Sequence, residues 1–111
     1  MHNAGWVIAR QWSSAALRVT IDSILIQDRE LTAVDVDGRV VVLSLQAGSY
    51  FDFNRVATEI WRMLAKPHRV GEIFHRLLRR HDVDAETLAR DVNPFLETLV
   101  THRLVRIVRS E

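Results

Sequence analysis

Histidines, carboxylates, nucleophilic side chains and glycine loops are where chemistry would start. His68, His75 and His81 come nearest to a cluster. His75 and His81 stand six positions apart, so on one helix they face different ways, whereas a shared metal favours i, i+4. Asp35 and Asp37 flank a hairpin turn and would need further ligands to hold a cation. Gly5, Gly38, Gly48 and Gly71 are isolated, so no glycine-rich loop cradles a phosphate, and no serine sits in a nucleophile-elbow context. Cysteine is absent, which excludes disulfides, thiol catalysis, iron–sulfur clusters and cysteine zinc sites. The residues therefore predict no enzyme, no metal and no cofactor.

Two binding features remain. The run His75-Arg76-Leu77-Leu78-Arg79-Arg80-His81 is basic. It suits phosphate contact by a helix-turn-helix, or simply a solvated face with arginines at a helix C-terminus, where the macrodipole favours cations. The next helix, which would read bases, carries Glu86, Asp91 and Glu97, and these carboxylates repel phosphate. The second feature is a strand edge. Ser49, Tyr50, Phe51, Asp52 and Phe53 form the last strand of a meander, rich in aromatics and poor in charge. A free edge exposes N–H and C=O groups that accept another strand. The plainer alternative is an edge covered by the protein's own N-terminal arm, and the residues alone leave both open.

The elements that position these residues follow from periodicity. A strand over 31–36 leads into Asp37-Gly38, a pair that tolerates the positive φ of a type I′ turn. A second strand, 39–45, is apolar on both faces, as suits a strand flanked on both sides. Ala47-Gly48 turns the chain into 49–53, where Phe51 and Phe53 point one way and Tyr50 and Asp52 the other. The period then becomes 3.6. Asn54 caps a helix whose stripe is Val56, Ala57, Ile60, Trp61 and Leu64. A second helix spans about 70–81, and a third about 85–102 with Pro94 inside it. Pro94 predicts a kink, because the apolar stripe continues in phase across it; a break capped by Asn93 is the alternative. Residues 104–108 close the chain as a short extended segment. Residues 19–27 read as an irregular lead-in with at most a short strand.

The expected fold is α+β, a winged helix-turn-helix with a three-stranded antiparallel sheet followed by three helices. The expected division is an N-terminal arm and lead-in over 1–28 and a recognition domain over 29–111. Trp6 and Trp12 are the large anchors of the arm, which is either loosely attached or a contact for a partner. With 111 residues there is room for one domain and one modest core. Hydrophobic residues at 48% and charged residues at 26% are an ordinary globular balance rather than a disordered one. A net charge of +1 lacks the field of a strong non-specific nucleic-acid binder. No apolar run approaches the ~20 residues of a membrane helix, so a soluble, cytoplasmic protein is expected.

The ordered series 37–45, 48–54 and Ile60-Trp61-Arg62-Met63-Leu64 resembles the PqqD-like family. So do Val70-Gly71-Glu72-Ile73, Val83-Asp84, residues 91–99 and Leu104-Val105. The likeness spans about 31–108. It implies a non-catalytic recognition element for the leader segment of ribosomally made, post-translationally modified peptides. Some members serve quinone-cofactor maturation, some lasso-peptide maturation, and some are fused to modifying enzymes. The resemblance also implies that the leader lies as an added strand between the third strand and the third helix, and that a partner enzyme such as a leader peptidase receives the core. On the third helix, Asp91, Phe95 and Thr98 border the apolar stripe and are expected to face that groove; for Phe51, Phe53, Trp61 and Leu99 a core role competes. The family often has leucine–asparagine where Phe53-Asn54 stand, and glycine where Arg103 precedes Leu104-Val105. Competing readings are a winged-helix DNA-binding regulator and a subunit that scaffolds an enzyme through the two tryptophans of the arm.

Overall fold

The computed structural model describes residues 19–29, 31–44 and 48–108. The expectations for the arm, and for Leu45 and Ala47, lie outside the described residues. The chain is α+β: strands β1 (Ile24–Gln27), β2 (Thr32–Val36), β3 (Arg39–Ser44) and β4 (Ser49–Asp52) precede helix α1 (Arg55–Met63). Strand β5 (His68–Arg69), helices α2 (Val70–Arg80) and α3 (Ala85–Thr101), and strand β6 (Val105–Val108) follow.

The expected meander is present as the antiparallel sheet β2-β3-β4. Its first turn places Asp37 at φ 55° and Gly38 at φ 84°, the left-handed pair that a type I′ turn needs. The expectation of a single sheet is corrected by a second antiparallel sheet, ordered β5-β1-β6. The lead-in supplies its central strand: Ile24–Gln27 pair with Val105–Val108 from the other end of the chain. These four residues lie N-terminal to the boundary expected at residue 28. Such a pairing joins segments some eighty positions apart, and neither segment alone carries a period that announces it.

Helices α1 and α3 start where their caps dictate. Asn54 Oδ1 accepts the Ala57 N–H at 2.8 Å, and Asp84 Oδ1 accepts the Thr87 N–H at 2.8 Å. Those Thr87 hydrogen bonds hold the Asp84 carboxyl below the usual carboxylate range. The cap is therefore intact at neutral pH and is lost as pH falls through that lowered value. Helix α3 runs unbroken through Pro94, so the helix does not stop and restart at Asn93.

One core joins both sheets to the helices. Leu25, Phe53, Leu64, Ile73, Leu77, Leu96, Leu99 and Leu104 are wholly buried in it. The end of α3 closes in a Schellman motif: Leu104 N–H reaches Leu99 C=O at 2.8 Å and Arg103 N–H reaches Val100 C=O at 3.0 Å. Arg103 pays for this closure with φ 61°, a left-handed conformation that favours glycine. Arg103→Gly is therefore expected to stabilise the protein by about 1 kcal/mol, seen as a higher urea midpoint with an unchanged slope; a lower midpoint contradicts this account of the cap.

Candidate functional site

Ladder parity decides which backbone groups of β4 are available. Residues Val42 and Phe51 pair, as do Ser44 and Ser49. One step further, the Phe53 N–H donates to the Val40 carbonyl at 3.0 Å. Ser49, Phe51 and Phe53 therefore turn their N–H and C=O groups toward β3. By the alternation of an antiparallel ladder, the N–H and C=O groups of Tyr50 and Asp52 point the other way. Among the described residues no strand pairs with β4 on that side. The edge ends at a specific device. The buried Thr58 hydroxyl accepts the Val40 N–H at 3.0 Å and lies 3.5 Å from the Phe53 carbonyl, to which it donates. A side chain of α1 thus bridges the second half of the last rung, between the Val40 N–H and the Phe53 carbonyl, and frees the chain to turn into the helix.

Helix α3 lies along this strand. Phe95 packs edge-on against Phe53, ring centroids 5.3 Å apart at 90°, and His102 packs against Phe51 at 5.4 Å. Contact runs from Phe53 to Phe51 as α3 runs from Phe95 to His102, so the two elements are antiparallel. Asp91, Phe95, Thr98 and His102 fall at i, i+4, i+7 and i+11, one face of the helix. Thr98 lies midway along that face, buried, and its Oγ1 has no hydrogen-bond partner among the described residues. An apolar cleft of about 330 Å³ continues from the end of β4. Its walls are Val56, Ala57 and Ile60 of α1, Val83 of the α2–α3 turn, and Leu88, Val92 and Phe95 of α3. Asn54, His81 and Asp91 supply its polar groups. His81 Nε2 is 2.9 Å from Glu59 Oε1, and the other Glu59 oxygen takes Arg80 at 2.5 Å, which fixes the imidazole at the cleft wall.

The residues expected at the site divide into three groups. Phe51, Phe53, Phe95 and Thr98 are buried where strand and helix meet. Asp91 is exposed at the cleft, beside Phe95. Tyr50, 64% exposed, and Asp52 project their side chains on the sheet's open face, where Asp52 meets Arg39 at 3.2 Å. Ser49 is exposed at the start of the strand. Missed from sequence were His102, Asn54, His81, Val56 and Val83. The helix-wheel line through Asp91, Phe95 and Thr98 reaches His102 one turn later, a signal that would have found it. Among the described residues no group of three or more histidines and carboxylates is placed to hold a metal. Among them also, no helix is long and apolar enough to cross a membrane.

Fold and site together define an α+β protein with a strand edge that no described strand pairs, set beside a helix and opening on an apolar cleft. The chain belongs to the PqqD family: the family model for Coenzyme PQQ synthesis protein D (PqqD) matches residues 39–105, more than half of its length. A solved structure of TbiB1 in complex with the TbiA(beta) leader peptide is similar, with 29% sequence identity and a TM-score of 0.67, covering 77% of this chain and 99% of that one. No curated protein matches the sequence.

The Thr98 hydroxyl gives this arrangement a measurable signature. A buried hydroxyl without a partner is unfavourable, so Thr98→Val, which keeps the shape and removes the polar atom, should stabilise the free protein by about 1 kcal/mol. Chemical denaturation reads the change, and a loss of stability would mean that the hydroxyl is bonded.

Proposed function

We propose that this protein is a non-catalytic module that captures the leader segment of a ribosomally made precursor peptide and presents it to a modifying enzyme. The leader adds as a strand to β4, and a lasso-peptide leader peptidase is the enzyme we name first. In this reading β2-β3-β4 is the wing of a winged helix-turn-helix whose helices are α2 and α3. Capture takes place in the cytoplasm, where ribosomes release such precursors. The observation that carries the proposal is the outward set of N–H and C=O groups on Tyr50 and Asp52, lying alongside α3. The likeness to TbiB1, a protein solved with a leader peptide, supports it.

The division of labour follows from magnitudes. Each backbone hydrogen bond contributes about 0.5–1.5 kcal/mol net, so the four outward groups set register more than affinity. Affinity comes from apolar leader side chains entering the cleft, each worth roughly 1.5–3 kcal/mol when well buried. Ordering a flexible peptide opposes both, which places the dissociation constant between about micromolar and tens of nanomolar. Phe95 supplies apolar floor and Asp91 accepts a donor from the leader. Ser49, Tyr50, Phe51, Asp52 and Phe53 supply the edge, and Thr98 lines the helix side. A DNA-binding regulator would place Glu86, Asp91 and Glu97 of α3 against phosphate, which disfavours it.

Parity separates two proline variants. Asp52→Pro removes an outward N–H and leaves the β3–β4 ladder intact, so it should abolish binding of a labelled precursor leader peptide while the fold survives. Phe51→Pro breaks the ladder itself and should destabilise the protein. Fluorescence polarisation with circular dichroism reads both; full binding by Asp52→Pro sinks strand addition at β4. Asp91→Ala is expected to weaken the leader by about fivefold with an unchanged circular dichroism spectrum, since an exposed carboxylate contributes about 1 kcal/mol or less. Equal affinity removes Asp91 from the site.

A further inference from the structure

Near-neutral net charge conceals a segregation of charge. Arg69 at the N-cap of α2 and Arg76, Arg79 and Arg80 within it are exposed and share one flank, bordering the stripe of Val70, Ile73 and Leu77 that enters the core. His68 and His75 border the same flank, and together these side chains line a concavity of about 770 Å³. Among the described residues one carboxylate answers them: Glu59 pairs with Arg80 at 2.5 Å, whereas Glu72 Oε1 accepts the backbone N–H of Arg69 at 3.2 Å as a helix cap. The guanidinium groups of Arg76 and Arg79 are exposed and have no ion pair among the described residues. The carboxylates that balance them overall, Glu86, Asp91 and Glu97, stand on α3.

We propose that this flank of α2 is a second docking surface, and that it takes an acidic segment of a partner protein. Charge complementarity carries the assignment. Guanidinium forks bind carboxylates in paired, planar geometry, and a concavity brings several forks onto one segment. The cationic flank runs the eleven residues of α2, about 16 Å at the helical rise, the length of a few consecutive acidic side chains. A nucleic-acid duplex fits it less well. Glu72 sits inside the concavity, where it opposes a row of phosphates, and too few guanidiniums are left for a large release of counterions. No residue lines both this concavity and the cleft between α1 and α3. A partner on α2 and a peptide on β4 can therefore be held at once, and the α2 surface does not depend on what β4 binds.

Fluorescein-labelled deca-glutamate and an equally labelled 20-base-pair duplex are the probes, titrated against the full chain at low and moderate salt. Deca-glutamate should bind, and more weakly as salt rises. The pair Arg76→Glu/Arg79→Glu should weaken it at least about tenfold, two ion pairs being lost and two repulsions gained. Arg106→Glu, a single charge reversal on exposed β6, should leave it within about twofold. Should the reversed pair fold poorly by circular dichroism, Arg76→Gln/Arg79→Gln gives the same reading with about a fivefold loss. Absent binding, equal loss in Arg106→Glu, or no loss in the arginine pair overturns the proposal, as does tighter binding of the duplex through the same arginines. Leader binding by the arginine pair, measured in parallel, fails or survives on its own.

Discussion

Phe53 is the residue on which the arrangement depends. It is fully buried, meets Phe95 edge-on and lies 5.7 Å from Trp61, so one ring joins the end of β4 to α1 and α3. Aromatic pairs of this geometry contribute about 0.5–1.5 kcal/mol beyond the area they bury. More important is direction. With Phe53 pinned inward, the alternation of the strand fixes Phe51 inward and Tyr50 and Asp52 outward. The Thr58 hydroxyl then closes the last rung and lets Asn54 start α1 at once. The outer edge of β4, the helix beside it and the cleft beyond it all descend from that fixed ring.

The second sheet is the frame against which this site is held. Strand β1 lies between β5 and β6, and its flank is stitched to the helical layer. Gln27 Nε2 donates to the Trp61 carbonyl at 2.7 Å, Gln27 N–H to Leu64 and Asp28 N–H to the Leu104 carbonyl. These bonds tie the exit of α1 and the exit of α3 to one strand. The β2-β3-β4 sheet is covered on one face only. Its other face leaves Val34, Val36, Leu43 and Tyr50 in the open. The protein thus combines a closed end, built from residues distant in sequence, with an open end built from a local meander.

That contrast explains what could be read from the residues. Asp37-Gly38 and Asn54 announced their turn and cap because each acts on its immediate neighbours. The helical stripes were legible because burial repeats every 3.6 residues. Continuity through Pro94 followed from a stripe that stays in phase. The β1–β6 pairing was hidden, since Ile24–Gln27 has no clean alternation and its partner lies at the far end of the chain. The strand that forms the edge was legible, and so was the helix beside it; the roles of Asp91 and Phe95 belong to the proposal. The direction of each backbone group was not legible, because it depends on the Val40–Phe53 rung. Nor was the cleft, whose walls come from α1, α3 and the turn between α2 and α3, three segments brought together only by packing.

The brevity of β4 has a consequence of its own. Four residues make a short rail. A strand sliding along it by two positions meets the same pattern of donors and acceptors, because the ladder repeats with that step. Main-chain pairing alone therefore cannot index a guest sequence. Indexing falls to the end stop, where the rail runs into Asn54 and the hollow beyond it. A long and variable sequence could be threaded here and still halt at one position, provided that one of its side chains fits that stop.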